Sequence, residues 1–144
     1  MGFLIDTCIW IDVERGILSP ADVAVITGDE PVFTSPVTIA ELKFGAENAG
    51  NADLRQKRLA ALNRIKTKPL LTIDESTGEI FGDLAFQIKK SGSGHQYRVQ
   101  DLWLASQAIQ NGYRFLTHNR KDFSDIPGLD LVIWEDALKK ASPP

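Results

Sequence analysis

Five short runs rich in apolar residues, GFLID at 2–6, PVFT at 31–34, PLLTID at 69–74, YRFLT at 113–117 and LDLVIW at 129–134, are separated by stretches with helical signals. This alternation constrains the fold more than any other feature. Strands that are apolar along their whole length are buried on both faces, which is the condition of a parallel sheet covered by helices above and below. The expectation is an α/β fold with a central parallel sheet of four to five strands.

The intervening segments carry start and stop signals. CIWIDVERG has a helical pattern and closes on Gly16. Ser19-Pro20 and Ser35-Pro36 place an N-cap before a proline at the first helical position, and the second of these helices is expected to run to Gly50. Asn51 can cap a long helix at 52–66, and ESTGEIFGDLAFQIKK repeats Ile80, Leu84 and Ile88 every four residues. SGSGHQ at 91–96 reads as a loop. The next helix is VQDLWLASQAIQNG, and EDALKKASPP reads as a short helical tail ending in frayed prolines.

In sheets of this kind ligands gather at the carboxyl ends of strands. Asp6 closes the first strand, and Thr117, His118 and Asn119 close the fourth of the five, so these positions share an edge. Asp101 raises the sharper question. Its helix sets Leu104, Ala105 and Ala108 on the same face as the acid and Leu102, Ser106 and Ile109 on the next, so the helix is expected to be buried. An unpaired carboxylate there costs several kcal/mol, on the order of the stability of a small domain. Glu41, among Ile39, Ala40, Leu42 and Phe44, is a second acid in apolar company, and Asp6, after Phe3, Leu4 and Ile5, is a third. If the three converge, their repulsion calls for a cation, and oxygen-only ligands favour Mg²⁺ or Mn²⁺ over Zn²⁺.

Each acid also has an ordinary reading. Asp6, or Thr7 in its place, fits a helix N-cap. Glu41 fits an exposed stripe or a pair with Lys43, and Asp101 fits the first turn of its helix with Arg98 as partner. Asp12, Glu14, Asp22, Glu47, Asp53, Glu79 and Asp83 sit among polar neighbours, as expected of solvated faces. His95 and His118 lack the spacing of a zinc site and are expected at the surface or behind the site.

Composition sets the outer limits. At 144 residues and 43% hydrophobic, the chain suits one domain, residues 1–144. A formal charge of −3 excludes a protein that holds nucleic acid by bulk basicity, so such a partner needs a local basic surface. The single Cys8 cannot form an internal disulfide and reads as a buried thiol, which points to the cytoplasm. No run approaches the roughly 18 apolar residues of a membrane span.

FLIDT at the amino terminus, SPVTIAEL with its glutamate, VQDLWLASQAIQNG with its aspartate, and FLTHNRKDFSDIPGLDL together resemble the PIN-domain family, specifically the VapC-type toxins of bacterial toxin–antitoxin pairs. The resemblance spans nearly the whole chain, and four motifs in order are far more specific than any one. It implies a three-layer α/β/α fold and a Mg²⁺- or Mn²⁺-dependent endoribonuclease. It also implies a cognate antitoxin that blocks the site, and homodimers that reach operator DNA only through that antitoxin. By position, Asp6, Glu41 and Asp101 become the acidic cluster, with Asp6 and Asp101 on the metal and Glu41 direct or through water. Thr7 becomes the hydroxyl that orients the first acid or a metal water, and Thr117 a support behind it.

One position departs from the pattern. Many relatives carry a fourth acid where this chain has Asn119, with Asp122 three residues later; Asn119 can still offer a carbonyl oxygen, and the charge on the site is lower. RNA phosphates are expected to meet Lys43, Arg98, Arg114, Arg120 and Lys121. The basic run Arg55, Lys57, Arg58, Arg64, Lys66 and Lys68 reads first as a solvated face and second as a docking surface. Trp103 is expected in the core and Trp10 in a dimer or antitoxin groove. A haloacid-dehalogenase-like phosphatase needs a second Asp at position 8, where this chain has Cys8. An inert PIN-like fold that binds RNA or protein without cutting stays as the alternative.

Overall fold

The computed structural model describes residues 1–92, 94 and 98–141. Part of the expected 91–96 loop, His95 and the terminal prolines lie outside them. The sheet has four strands, β1 (Phe3–Ile5), β2 (Val32–Phe33), β3 (Arg114–Thr117) and β4 (Leu131–Ile133), in the order β2-β1-β3-β4. Every pairing is parallel, with Phe3 beside both Val32 and Arg114, and Phe115 beside Leu131. Around it lie α1 (Thr7–Glu14), α2 (Pro20–Thr27), α3 (Pro36–Glu47), α4 (Ala52–Ile65), α5 (Glu75–Lys90), α6 (Val99–Asn111), α7 (Arg120–Phe123) and α8 (Trp134–Ala141).

Side chains alternate across a strand, so each face of this apolar sheet builds its own core. Leu4 and Phe115 pack on one face with Leu84 and Ile88 of α5 and Leu102, Ala105 and Ala108 of α6. Phe3, Ile5 and Leu116 pack on the other with Ile9 and Trp10 of α1, Val23 of α2 and Trp134 of α8. The three-layer α/β/α expectation holds, with the acids of interest at one end of the middle layer.

The caps follow the sequence. Ser19 accepts from Asp22 N at 3.1 Å ahead of Pro20, Ser35 from Val37 N at 3.0 Å ahead of Pro36, and Asn51 from Leu54 N at 2.8 Å. Gly112, at φ 67°, ends α6 in the left-handed region where a Cβ would be strained.

Three expectations are corrected. PLLTID is not a strand: it meets the sheet at one bridge, Thr34 with Leu70, through Thr34 N to Pro69 O and Leu71 N to Thr34 O, both 2.9 Å. Gln107 Nε2 then takes the Leu71 and Thr72 carbonyls at 2.8 and 3.4 Å, which peels the segment away. The helix from Pro36 ends at Glu47 instead of Gly50. Trp10 lines no groove; it is 6% exposed inside the second core, with Lys68 Nζ 5.5 Å from its ring centroid. Trp103 is half-buried and stacks on Phe81 at 4.3 Å between centroids. No helix among the described residues is long and apolar enough to cross a membrane.

Candidate active site

Asp6 is the first residue beyond β1, and its amide donates to Leu116 O at 2.9 Å, so β3 fixes its backbone. It occupies the N-cap position of α1, yet its side chain makes no capping bond. The carboxylate instead accepts Thr117 Oγ1 at 2.7 Å and Cys8 Sγ at 3.3 Å, both on Oδ2. Side-chain hydrogen bonding thus leaves Oδ1 uncommitted. With only 6% of the residue exposed, loss of solvent pushes its pKa up against the opposing pull of Thr117, Cys8 and the Thr7 backbone. Cys8 is half-buried, and burial together with the Asp6 charge raises its thiol to about 12. It is a neutral donor to the carboxylate.

Glu41 comes from the second turn of α3, the helix that follows β2, and accepts Thr7 Oγ1 at 3.3 Å. Burial first, then the charges of Asp6 and Asp101, lift it from 4.5 to about 7, while the Thr7 bond works the other way. Asp101 lies in the first turn of α6. Burial, then Asp122 and Asp6, lift it from 3.8 to about 6 against the pull of Arg98. Three elements remote in sequence therefore bring Asp6, Glu41 and Asp101 within electrostatic reach of one another, and Asp122 joins through Asp101.

The remaining candidates divide. Thr117, fully buried, accepts Asn119 N at 3.0 Å while donating to Asp6, and Asn119 begins α7 without a side-chain cap bond. Arg98 does not pair with Asp101. It forks onto both oxygens of Asp125 at 2.8 Å and reaches the Asp122 carbonyl, clamping α6 to the segment after α7. Arg120 pairs with Asp136 and Lys43 with Glu47, each at 2.8 Å. Lys43 also stands two residues past Glu41, about 200° around the helix, and so on the opposite side. Arg114 is misplaced by the sequence reading: it opens β3, at the edge away from Asp6, where it pairs with Glu30 and covers the Phe3 ring at 4.4 Å. Lys121 is exposed, with no acid in ion-pair range among the described residues.

Sequence reasoning missed Thr38, whose buried hydroxyl meets Thr7 Oγ1 at 2.9 Å. Its spacing, three before Glu41 on one helix, was the available signal. It also missed that Asp12 and Glu14 are half-buried and paired, with His118 Nε2 at 3.1 Å and with Arg64.

As a donor set, three carboxylates without imidazole or thiolate suit a hard divalent ion such as Mg²⁺ or Mn²⁺. Among the described residues no three His, Cys, Asp or Glu side chains stand close enough to enclose a metal ion as they are placed. Mg²⁺ commonly keeps several of its own waters and is bound through one or two carboxylates, so its chemistry does not require three protein ligands.

A PIN domain family profile matches residues 3–129. Ribonuclease VapC1 of Rickettsia felis is 33% identical over 139 residues, covering 92% of this chain and 96% of that protein. Among solved structures, VapBC-1 from nontypeable Haemophilus influenzae is 26% identical with a TM-score of 0.76, over 94% of this chain and 99% of that one. VapBC2 from Rickettsia felis, bound to a DNA fragment from its promoter, shares the fold at a TM-score of 0.77 and 20% identity, over 93% and 99% of the two chains. With its parallel sheet and its acids gathered at the carboxyl edge, the chain belongs to the PIN domain family.

Proposed function

We propose that this protein is a metal-dependent endoribonuclease, the toxin of a toxin–antitoxin pair, acting in the cytoplasm. The observation that carries the reading is that Asp6, Glu41 and Asp101 come from three elements to lie within electrostatic reach of one another at the sheet edge, in a chain 33% identical to a ribonuclease of the VapC type. Asp6 and Asp101 would hold a Mg²⁺ or Mn²⁺ ion, and Glu41 would serve it directly or through water. When bound, the ion supplies a Lewis acid that makes water a usable nucleophile at neutral pH and offsets charge building on a phosphate.

The chain's own residues do the placing. Thr117 and Cys8 hold Oδ2 of Asp6, which leaves Oδ1 free of side-chain hydrogen bonds and available to an ion. Thr7 holds Glu41. Asn119 offers a carbonyl oxygen at the position of the fourth acid, and Asp122 adds charge beside Asp101. Of the basic candidates named from the sequence, Lys121 has no acid in ion-pair range among the described residues and is the one assigned to the RNA backbone, while Arg98, Arg120 and Lys43 are engaged by acidic partners.

The likeness to VapBC-1 supports a cognate antitoxin as partner. That antitoxin is proposed to cover the site, the chain to form a homodimer, and operator DNA to be contacted through the antitoxin. The test is incubation of the purified chain with total cellular RNA, with Mn²⁺ or with EDTA, and mapping of new ends. Discrete new ends that vanish with EDTA are the expected result. RNA bound but uncut under both conditions points instead to the inert fold, the alternative that Asn119 keeps open and the three acids oppose.

A further inference from the structure

A hydroxyl carries one proton and can donate it once. Thr7 Oγ1 directs its proton to Glu41 Oε1 at 3.3 Å. The 2.9 Å contact between Thr7 and Thr38 must then be made with the Thr38 proton. Thr38 has no competing use for it. A threonine in a helix commonly bonds back to a carbonyl one turn earlier, as Thr27 does to Val23 O at 3.2 Å. Thr38 forms no such bond; the carbonyl four residues back belongs to Thr34 and receives Leu71 N at 2.9 Å. The residue is 0% exposed to bulk solvent, and a valine of the same shape would fill the space without a polar atom to satisfy.

We propose that Thr38 is a positioning residue for Glu41, acting through Thr7: Thr38 donates to Thr7, which frees the Thr7 proton for the Glu41 carboxylate and fixes where that carboxylate points. The two ends of the relay, Thr38 and Glu41, stand one turn apart on α3, and Thr7 bridges them from the first turn of α1. This rests on the nuclease reading, since Glu41 needs aim only if it serves an ion.

The test uses the full chain with Mn²⁺ alone by calorimetry, and with a random-sequence fluorogenic RNA pool for kcat and KM. Thr38→Val weakens Mn²⁺ affinity and lowers kcat by about tenfold, the lower end of what losing an outer-shell partner costs, and leaves the RNA KM within about twofold. Thr38→Ser restores both. In a Thr7→Val background, Thr38→Val adds less than about a twofold further loss, because the relay is already broken. Should Thr38→Val not fold, Thr38→Ala carries the same expectation.

A wild type that binds Mn²⁺ and cuts RNA, with a folded Thr38→Val or Thr38→Ala matching it, overturns the role of Thr38 alone. So does equal loss in Thr38→Ser, or fully additive losses with Thr7→Val, since either result assigns Thr38 to packing. A wild type that neither binds Mn²⁺ nor cuts RNA overturns the nuclease reading, and this inference with it.

Discussion

Thr117 Oγ1 donates to Asp6 Oδ2 at 2.7 Å, joining the carboxyl ends of β3 and β1 where Asp6 N also meets Leu116 O at 2.9 Å. The sheet register, Ile5 beside Leu116, thus places the carboxylate as well as the backbone. Thr117→Val keeps the shape and removes the donor. A hydrogen bond to a charged group contributes about 1.5–3 kcal/mol, so a lower thermal midpoint is expected at pH 8. RNA cleavage is expected to fall about tenfold, with Thr117→Ser close to the parent. Equal activity in Thr117→Val and the parent would remove this bond from the account.

Asp6→Asn and Asp101→Asn separate function from stability. Each acid is held in a site that resists its charge, so neutral amides of the same size leave the metal-free fold intact. At pH 8 they make it more heat-stable than the parent. Cleavage falls at least about 100-fold in each. A variant that melts lower than the parent, or one that cuts as well, contradicts the assigned role.

The fold was more legible in the sequence than the site was. Whole-length apolar strands and paired Ser-Pro caps are local signals, so the sheet and most helices could be read directly. PLLTID failed because its fate is decided by Gln107 of α6, 36 residues from Leu71, and periodicity carries no trace of such a partner. The acids stood out as charges in apolar runs. Their partners did not: Arg98 finds Asp125 and Asp6 finds Thr117 only through tertiary packing. The misplacement of Arg114 has a simpler cause. A strand has two ends, and Arg114 and Thr117 share one strand at opposite edges of the sheet.

The acid cluster sets a pH dependence. Glu41 at about 7 and Asp101 at about 6 lie above their ordinary 4.5 and 3.8. A carboxyl raised in the folded state gives stability that is full below its unfolded value and is lost as pH rises through its folded value. Metal-free protein should therefore melt lower at pH 8 than at pH 5. Asp74 and Asp125, held below their ordinary values, act oppositely and weaken the fold below about pH 4. Because protons compete with the ion, apparent Mn²⁺ affinity should drop as pH falls from about 7 to 6. A midpoint that is flat or rising from pH 5 to 8 in metal-free protein contradicts the cluster.

Arg98 and Lys121 should behave differently. Arg98→Ala releases the Asp125 clamp and lowers the thermal midpoint. Lys121→Ala leaves the midpoint unchanged, weakens RNA binding a few-fold, and reduces the salt slope by about 0.7, the value for one phosphate contact on a single strand. A salt slope unchanged in Lys121→Ala removes that lysine from the RNA surface.

The central claim is that Asp6, Glu41 and Asp101 serve one divalent ion. Calorimetric titration of Mn²⁺ into the wild type and into Asp6→Asn, Glu41→Gln and Asp101→Asn, at pH 8, measures it most directly. Saturable binding in the wild type that weakens at least about tenfold in every variant is the predicted result. Binding of equal strength in all four proteins, or none in the wild type, would contradict it.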